Sequence, residues 1–262
     1  MAIEVLKGFI LLVLIFVPLE RLLSLHQQPV LRPAWQTDTC YFFTGYFIGR
    51  AAGAAVATVL LVQLDTWLQL PFRETIAQQP VWLQAIEAIF VADLGYYIAH
   101  RLLHTVPWLW RFHAVHHSVR EMDWLATVRV HPVDQVFTKL FQLVPLYLLG
   151  FSTQTFAVYV IVSATIAFFI HANLRLDLGA LTWIIATPRF HHWHHYNHPD
   201  VYNKNLAAQL PIIDWIFGTF YLPKGRNPNQ YGIADPVPQG YLGQLLYPFR
   251  SKRIQSKKHH AT

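Results

Sequence analysis

Cysteine is almost absent: Cys40 is the only one in 262 residues. A single thiol excludes an intrachain disulfide and any cysteine-built metal or haem-thiolate motif, and Cys40 itself is expected to be a small buried apolar residue. Charge is scarce too. Lys, Arg, Asp and Glu make up 13% of the chain and hydrophobic residues 54%, whereas soluble domains carry about 25% charge. That balance points to a membrane protein. No nucleic-acid motif occurs, so the net charge of +6 is read as attraction to anionic lipid headgroups. There is no internal repeat and no low-complexity segment. The first apolar run ends in Pro18, Leu19, Glu20 and Arg21 and not in a small-x-small cleavage site, so it reads as a retained anchor.

A spanning helix needs roughly 20 apolar residues. Segments 5–19, 41–64 and 81–99 qualify or nearly do, and runs at 136–149 and 155–170 flank Gly150, Phe151, Ser152 and Thr153 like the arms of a helical hairpin. If segment 81–99 delivers the chain to one membrane face at His100, the hairpin returns it to the same face at His171. Twelve of the 15 histidines lie between His100 and His198, all then on one side. Arg250, Lys252, Arg253, Lys257 and Lys258 in the tail, with Arg21 and Arg32, make that side cytoplasmic by the positive-inside bias. Residues 197–205 and 222–240 read as loops of a cap, and 206–221 as an apolar segment along the membrane surface or under the cap.

Histidine is what the chain has in excess, and its spacing is regular. His100 and His104 form H-x3-H; His113, His116 and His117 form H-x2-HH; His191, His194 and His195 repeat H-x2-HH. On a helix i, i+3 and i+4 share a face, so each cluster is expected to aim its rings at one point. Eight imidazoles exceed what one six-coordinate ion takes, which implies two metals. Imidazole suits zinc, copper, iron and nickel alike. The zinc-protease pattern H-E-x-x-H is absent, and no Glu or Asp falls inside the clusters, unlike the carboxylate-bridged soluble di-iron bundles.

These motifs resemble the integral-membrane fatty acid hydroxylase/sterol desaturase superfamily. DLGYYIAHRLLH (93–104), RFHAVHHS (111–118), RVHP (129–132), TPRFHHWHH (187–195) and DWIFGTFY (214–221) carry the likeness over roughly residues 81 to 222. The resemblance implies metal ligands at His100, His104, His113, His116, His117, His191, His194 and His195, with His171 as a ninth. His192 stands where relatives often carry Arg and is placed outside the ligand set. His131 in RVHP is a further candidate for ligation or support. Asp93, two turns before His100, is expected to orient a histidine N–H, the alternative being a salt bridge to Arg101 or Arg111; Glu87 lies on a similar stripe. His198 is expected to make a loop hydrogen bond, and His26, His259 and His260 to lie on the surface.

By the same resemblance the expected protein is all-α, a polytopic membrane protein with about four to five membrane helices and a cytoplasmic histidine-rich cap holding a dimetal site. It forms a single domain, with N-terminal membrane helices in 1–80, a catalytic core in 81–222 and a basic tail in 223–262. The implied activity is that of a non-haem di-iron monooxygenase using O2 to hydroxylate or desaturate a C–H bond of a lipid such as a fatty acyl chain or sterol. No G-x-G-x-x-G and no iron–sulfur cysteine set occurs, so electrons come from a separate ferredoxin or cytochrome. An acyl-lipid or carotenoid desaturase is the alternative, disfavoured by the short first box. A histidine-rich metal transporter would hold its ligands near mid-membrane, and a zinc hydrolase would work without O2.

Overall fold

A computed structural model describes residues 2–56 and 71–250. Those residues fold as helices and connecting loops, with no strand beyond two isolated backbone bridges, 24 to 174 and 196 to 231. Helix α1 is Ala2–Leu22, α2 is Trp35–Val56, α3 is Arg73–Ala77 and α4 is Val81–Thr105. Then come α5 (Pro107–His117), α6 (Pro132–Leu149), α7 (Thr153–His171), α8 (Pro188–His194), α9 (Pro211–Ile216) and α10 (Tyr241–Leu246). Among the described residues three helices, α1, α4 and α7, are long and apolar enough to cross a membrane. The expected span at 41–64 runs partly into 57–70, outside the described residues, as do Lys252, Arg253, Lys257, Lys258, His259 and His260 of the tail.

Helix α4 is the axis of the bundle. Ala88, Ala92, Gly95 and Ala99 recur at helical spacing on its buried face, and these small side chains let α6 approach closely. At Gly95 an added Cβ would stand 2.0 Å from the carbonyl oxygen of Phe141. Gly95→Ala is therefore expected to push α4 from α6 and cost about 1–3 kcal/mol, the usual penalty of overpacking, read as a lower thermal midpoint in detergent.

The far end of the bundle is tied by Gln84. Its Oε1 accepts from Ser152 N and Thr155 Oγ1, both at 2.9 Å, and its Nε2 donates to the carbonyls of Ala77 and Gln79. Gly150, with φ of 87°, ends α6 in the left-handed conformation that glycine adopts without strain. The α6–α7 hairpin then returns the chain to the end where α4 finishes.

At that near end the chain turns sharply and often. Pro107, Pro132, Pro188 and Pro211 each open a helix, a position where the missing N–H costs nothing and the ring pre-sets φ. Three short helices at this end, α5, α8 and α9, thus have their starts defined by proline. Cys40 departs from expectation: it is exposed on α2, because that helix packs inward through Thr37, Asp38 and Tyr41, a side that Cys40 does not share.

Candidate metal centre

Four helices bring nine histidines together. The last turns of α4 carry His100 and His104, α5 carries His113, His116 and His117, α7 ends at His171, and α8 carries His191 and His194 with His195 at its C-terminal cap. They sort into two groups, His100, His104, His113, His117 and His194 in one and His116, His171, His191 and His195 in the other, the ligand nitrogens of each lying within 4.8 Å of one another. The groups adjoin, with the His117 and His195 rings stacked at 4.4 Å.

The division differs from the sequence expectation that each cluster serves one point. His113 and His117, at i and i+4, share the first group, while His116 at i+3 joins the second; His191 and His195 share the second, while His194 joins the first. The cause is angular. At about 100° per residue, i+4 lies about 40° to one side of i and i+3 about 60° to the other, so neighbouring i+3 and i+4 rings diverge into separate groups.

Hydrogen bonding at Nδ1 orients five of the nine rings, His100, His113, His116, His171 and His194. His100 Nδ1 donates to the Leu206 carbonyl at 2.7 Å, and His113 Nδ1 is 2.8 Å from an Asp134 carboxylate oxygen. The Leu206 carbonyl can only accept, so neutral His100 carries its proton on Nδ1 and turns a bare Nε2 inward; burial raises the Asp134 carboxyl to about 8, and once ionised it accepts from His113 Nδ1 in the same way. Those two Nε2 atoms face each other at 2.9 Å. The second group repeats the arrangement: His116 Nδ1 donates to the Arg129 carbonyl at 3.2 Å, His171 Nδ1 to the Ala167 carbonyl at 2.8 Å, and their Nε2 atoms meet at 3.2 Å. Two lone pairs at such separations repel unless a cation lies between them. Imidazoles bound at about 2.1 Å and at right angles about one ion would be about 3.0 Å apart. His194 Nδ1 donates to Lys204 O, and its Nε2, like that of His104, is buried with no hydrogen-bond partner among the described residues. Each group therefore fits a metal ion.

A family model described as fatty acid hydroxylase matches residues 85–219, a stretch that contains all nine histidines. The chain belongs to the fatty acid hydroxylase family. Ornithine lipid hydroxylase OlsE of Rhizobium tropici is 38% identical over 175 residues, 67% of this chain and 53% of that protein. Alkylglycerol monooxygenase of Danio rerio is 37% identical over 170 residues, 64% of this chain and 37% of that protein. The human alkylglycerol monooxygenase is 33% identical over 150 residues, covering 57% and 33%. The chain spans about half or less of the length of these curated relatives. No solved structure matches it.

In this chain the rings are held by supports that the motifs alone do not reveal. Asp134, in the first turn of α6, was missed by sequence reasoning although it follows RVHP by two residues; its only signal was a carboxylate placed where a helix entering the bundle begins. Asp93 does not touch a histidine. Its oxygens accept from the backbone N–H groups of Ala208, Gln209 and Leu210, while Asp214 takes those of Leu206 and Ala207. The two buried carboxylates clamp the loop whose Leu206 carbonyl receives His100, so Asp93 reaches the site only through that loop. Neither salt bridge considered for Asp93 forms, Arg101 donating to Tyr97 Oη and Arg111 to the Arg250 carbonyl. Glu87 pairs with Gln79, far from the histidines.

His131 lies in neither group. Its Nδ1 caps α6 by accepting from Val133 N, its Nε2 reaches Leu245 O, and its ring packs against Phe112 and Phe249. His131 is itself extended, with φ of −62° and ψ of 139°, and the proline after it opens the helix, which makes it a helix cap. His192 is outside both groups, held by Tyr231 Oη and the His171 carbonyl. His198 accepts from Asp200 N as a loop cap. His26 is half-buried, not a surface residue, because its Nε2 reaches Pro228 O and Tyr231 Oη.

Burial holds the cap imidazoles neutral, the state a metal ligand needs. Desolvation pushes His116 and His192 down to about 4 and His194 to about 3, from an ordinary 6.5. Burial, followed by neighbouring imidazoles, also puts His113, His117, His191 and His195 well below 6.5. The unfolded chain then binds more protons than the folded one between these values. The stability contributed is fully present above pH 6.5 and is lost as pH falls toward 4. Metal-stripped protein should show a thermal midpoint that declines steadily over that window; a flat profile would mean that the rings are not desolvated as described.

Proposed function

We propose that this chain is a membrane-bound non-haem di-iron oxygenase that hydroxylates a C–H bond of a lipid. The observation that carries the reading is the pair of inward-facing, unprotonated nitrogens in each histidine group, His100 with His113 and His116 with His171. The names of the relatives, lipid hydroxylase and monooxygenase, support the reaction class. The nine grouped histidines act as ligands, Asp134 and the Leu206, Arg129, Ala167 and Lys204 carbonyls fix their tautomers, and Asp93 and Asp214 hold the supporting loop. His131 works as a helix cap, and residues 81–222 form the catalytic core.

Two irons held there supply the redox chemistry that lets O2 attack an unactivated C–H bond. In the balanced reaction C–H becomes C–OH, and the second oxygen atom leaves as water with two protons and two electrons. The protein's own contribution is positioning. His104, His117, His194 and His195 line a cavity of about 540 Å³ together with Trp110 and Tyr247, so a carbon seated there lies near the metal-facing rings. Electrons come from a separate ferredoxin or cytochrome, and the histidine cap and C-terminus face the cytoplasm, where the basic tail residues meet anionic headgroups or an acidic carrier.

The test is metal analysis of detergent-purified protein together with its Mössbauer spectrum after growth on iron-57. The expected result is two non-haem, nitrogen-ligated irons per chain. Zinc or copper in fully active preparations without iron would overturn the reading and favour a hydrolase.

A further inference from the structure

We propose, resting on the oxygenase reading, that Arg111 and Asp235 form a two-charge subsite that seats the polar, charged end of an amphiphilic substrate beside the first histidine group. The carbon oxidised then lies in or next to that polar end and not deep in the alkyl tail.

The cavity over the first group is built from the cap. Its walls come from the last turn of α4, from α5 and from cap segments near 194–203 and 232–235, together with Tyr247. No described residue of α1, α2, α6 or α7 lines it, and of the three helices long and apolar enough to cross a membrane only the last turn of α4 takes part. Arg111 and Asp235 both stand on its wall. They are not paired with each other. The Arg111 guanidinium donates only to the Arg250 backbone carbonyl and its buried Nε has no partner among the described residues, while Asp235 Oδ2 accepts from Trp110 Nε1 at 3.1 Å.

A half-buried cation and a half-buried anion line one cavity, neither with a counter-ion among the described residues, so each can pair with an oppositely charged group that enters it. Arginine's planar fork matches a carboxylate or phosphate, and a carboxylate matches an ammonium. An alkyl end entering the cavity would strip water from both charges and return nothing. A charged polar end would satisfy them. The distance from this subsite to the histidines is short: the Trp110 ring that holds Asp235 lies 5.3 Å from the His104 ring and 5.5 Å from that of His117. One indole separates the charge from the metal-facing rings, so whatever Asp235 holds brings its adjacent carbons to them.

The experiment measures equilibrium binding of three amphiphiles of equal chain length, dodecanoate, dodecylamine and 1-O-dodecylglycerol, to the full-length protein in an uncharged detergent. Native mass spectrometry reads occupancy for wild type, Arg111→Gln and Asp235→Asn. Wild type is expected to prefer each charged probe over the uncharged one by about tenfold, a change worth one charge-assisted contact. Arg111→Gln should erase the preference for dodecanoate but not for dodecylamine, and Asp235→Asn the reverse. Equal binding of all three probes, or variants that weaken all three alike, would overturn the subsite. Mass spectrometry of the product from an N-dodecanoyl amino acid should place the new hydroxyl in the head or on the carbons beside it; a mid-chain hydroxyl overturns the inference. Charge preference without any oxidised product would support the subsite and overturn the oxygenase reading, so the two failures are distinct.

Discussion

Replacing His113 with alanine is expected to abolish O2-dependent oxidation while leaving the chain inserted in the membrane. His113 lies at the centre of the first group, its Nε2 2.9 Å from that of His100 and 3.2 Å from that of His117. Removing it deletes a ligand and also frees Asp134. Loss of a partner that only supports a ligand lowers metal affinity about 10–100-fold, so loss of the ligand itself should exceed the upper end of that range. Asp134→Ala provides the graded comparison. It keeps the imidazole but leaves a buried Nδ1–H without an acceptor, and should fall inside the 10–100-fold range. Metal content per chain and turnover, measured on the same preparations, check both. Normal metal content and turnover in the His113 variant would remove it from the ligand set.

The second large effect belongs to a residue that touches no histidine. Asp38 is fully buried on α2 and accepts from Arg32 at 2.6 Å and from Arg129 at 2.5 and 2.8 Å, while Arg32 also donates to Asp123 at 2.7 Å. Two arginines and two aspartates from separate segments thus form one buried network. Its output is positional, because the Arg129 backbone carbonyl is the acceptor for His116 Nδ1. Asp38→Ala leaves Arg129 buried without its anion, which typically costs about 3–5 kcal/mol. Denaturation in detergent should show that loss, and His116 should loosen with it, lowering metal content in the protein that remains folded. An unchanged midpoint would mean that water replaces the carboxylate at little cost.

What could be read from the sequence was whatever the helix period encodes. The apolar runs outline α1, α4 and α7 because lipid demands a long uninterrupted stretch, and the histidine spacings mark α5 and α8 because a helix repeats every few residues. The supports were not readable, since each depends on contacts between distant segments. Asp134 meets His113 only because α6 packs across α5. Asp93 was conspicuous as an acid in an apolar helix, yet its partners, the N–H groups of Ala208, Gln209 and Leu210, lie far along the chain. Arg32, Asp38, Asp123 and Arg129 look like ordinary polar residues in three unrelated stretches. Cys40 misled because burial on a helix depends on which side packs inward, and Thr37, Asp38 and Tyr41 take that side.

The sharing of α5 and α8 between the two histidine groups has a consequence for how this chain can vary. Inserting one residue between His113 and His116, or between His191 and His194, turns the following rings by about 100°. The i+3 ring then takes the direction that the i+4 ring had, and the i+4 ring swings to about 140° from i, toward neither group. Composition would be almost unchanged and every histidine retained, yet one group would lose a ring that no neighbour replaces, so a single-codon insertion in either short helix acts like the loss of a histidine.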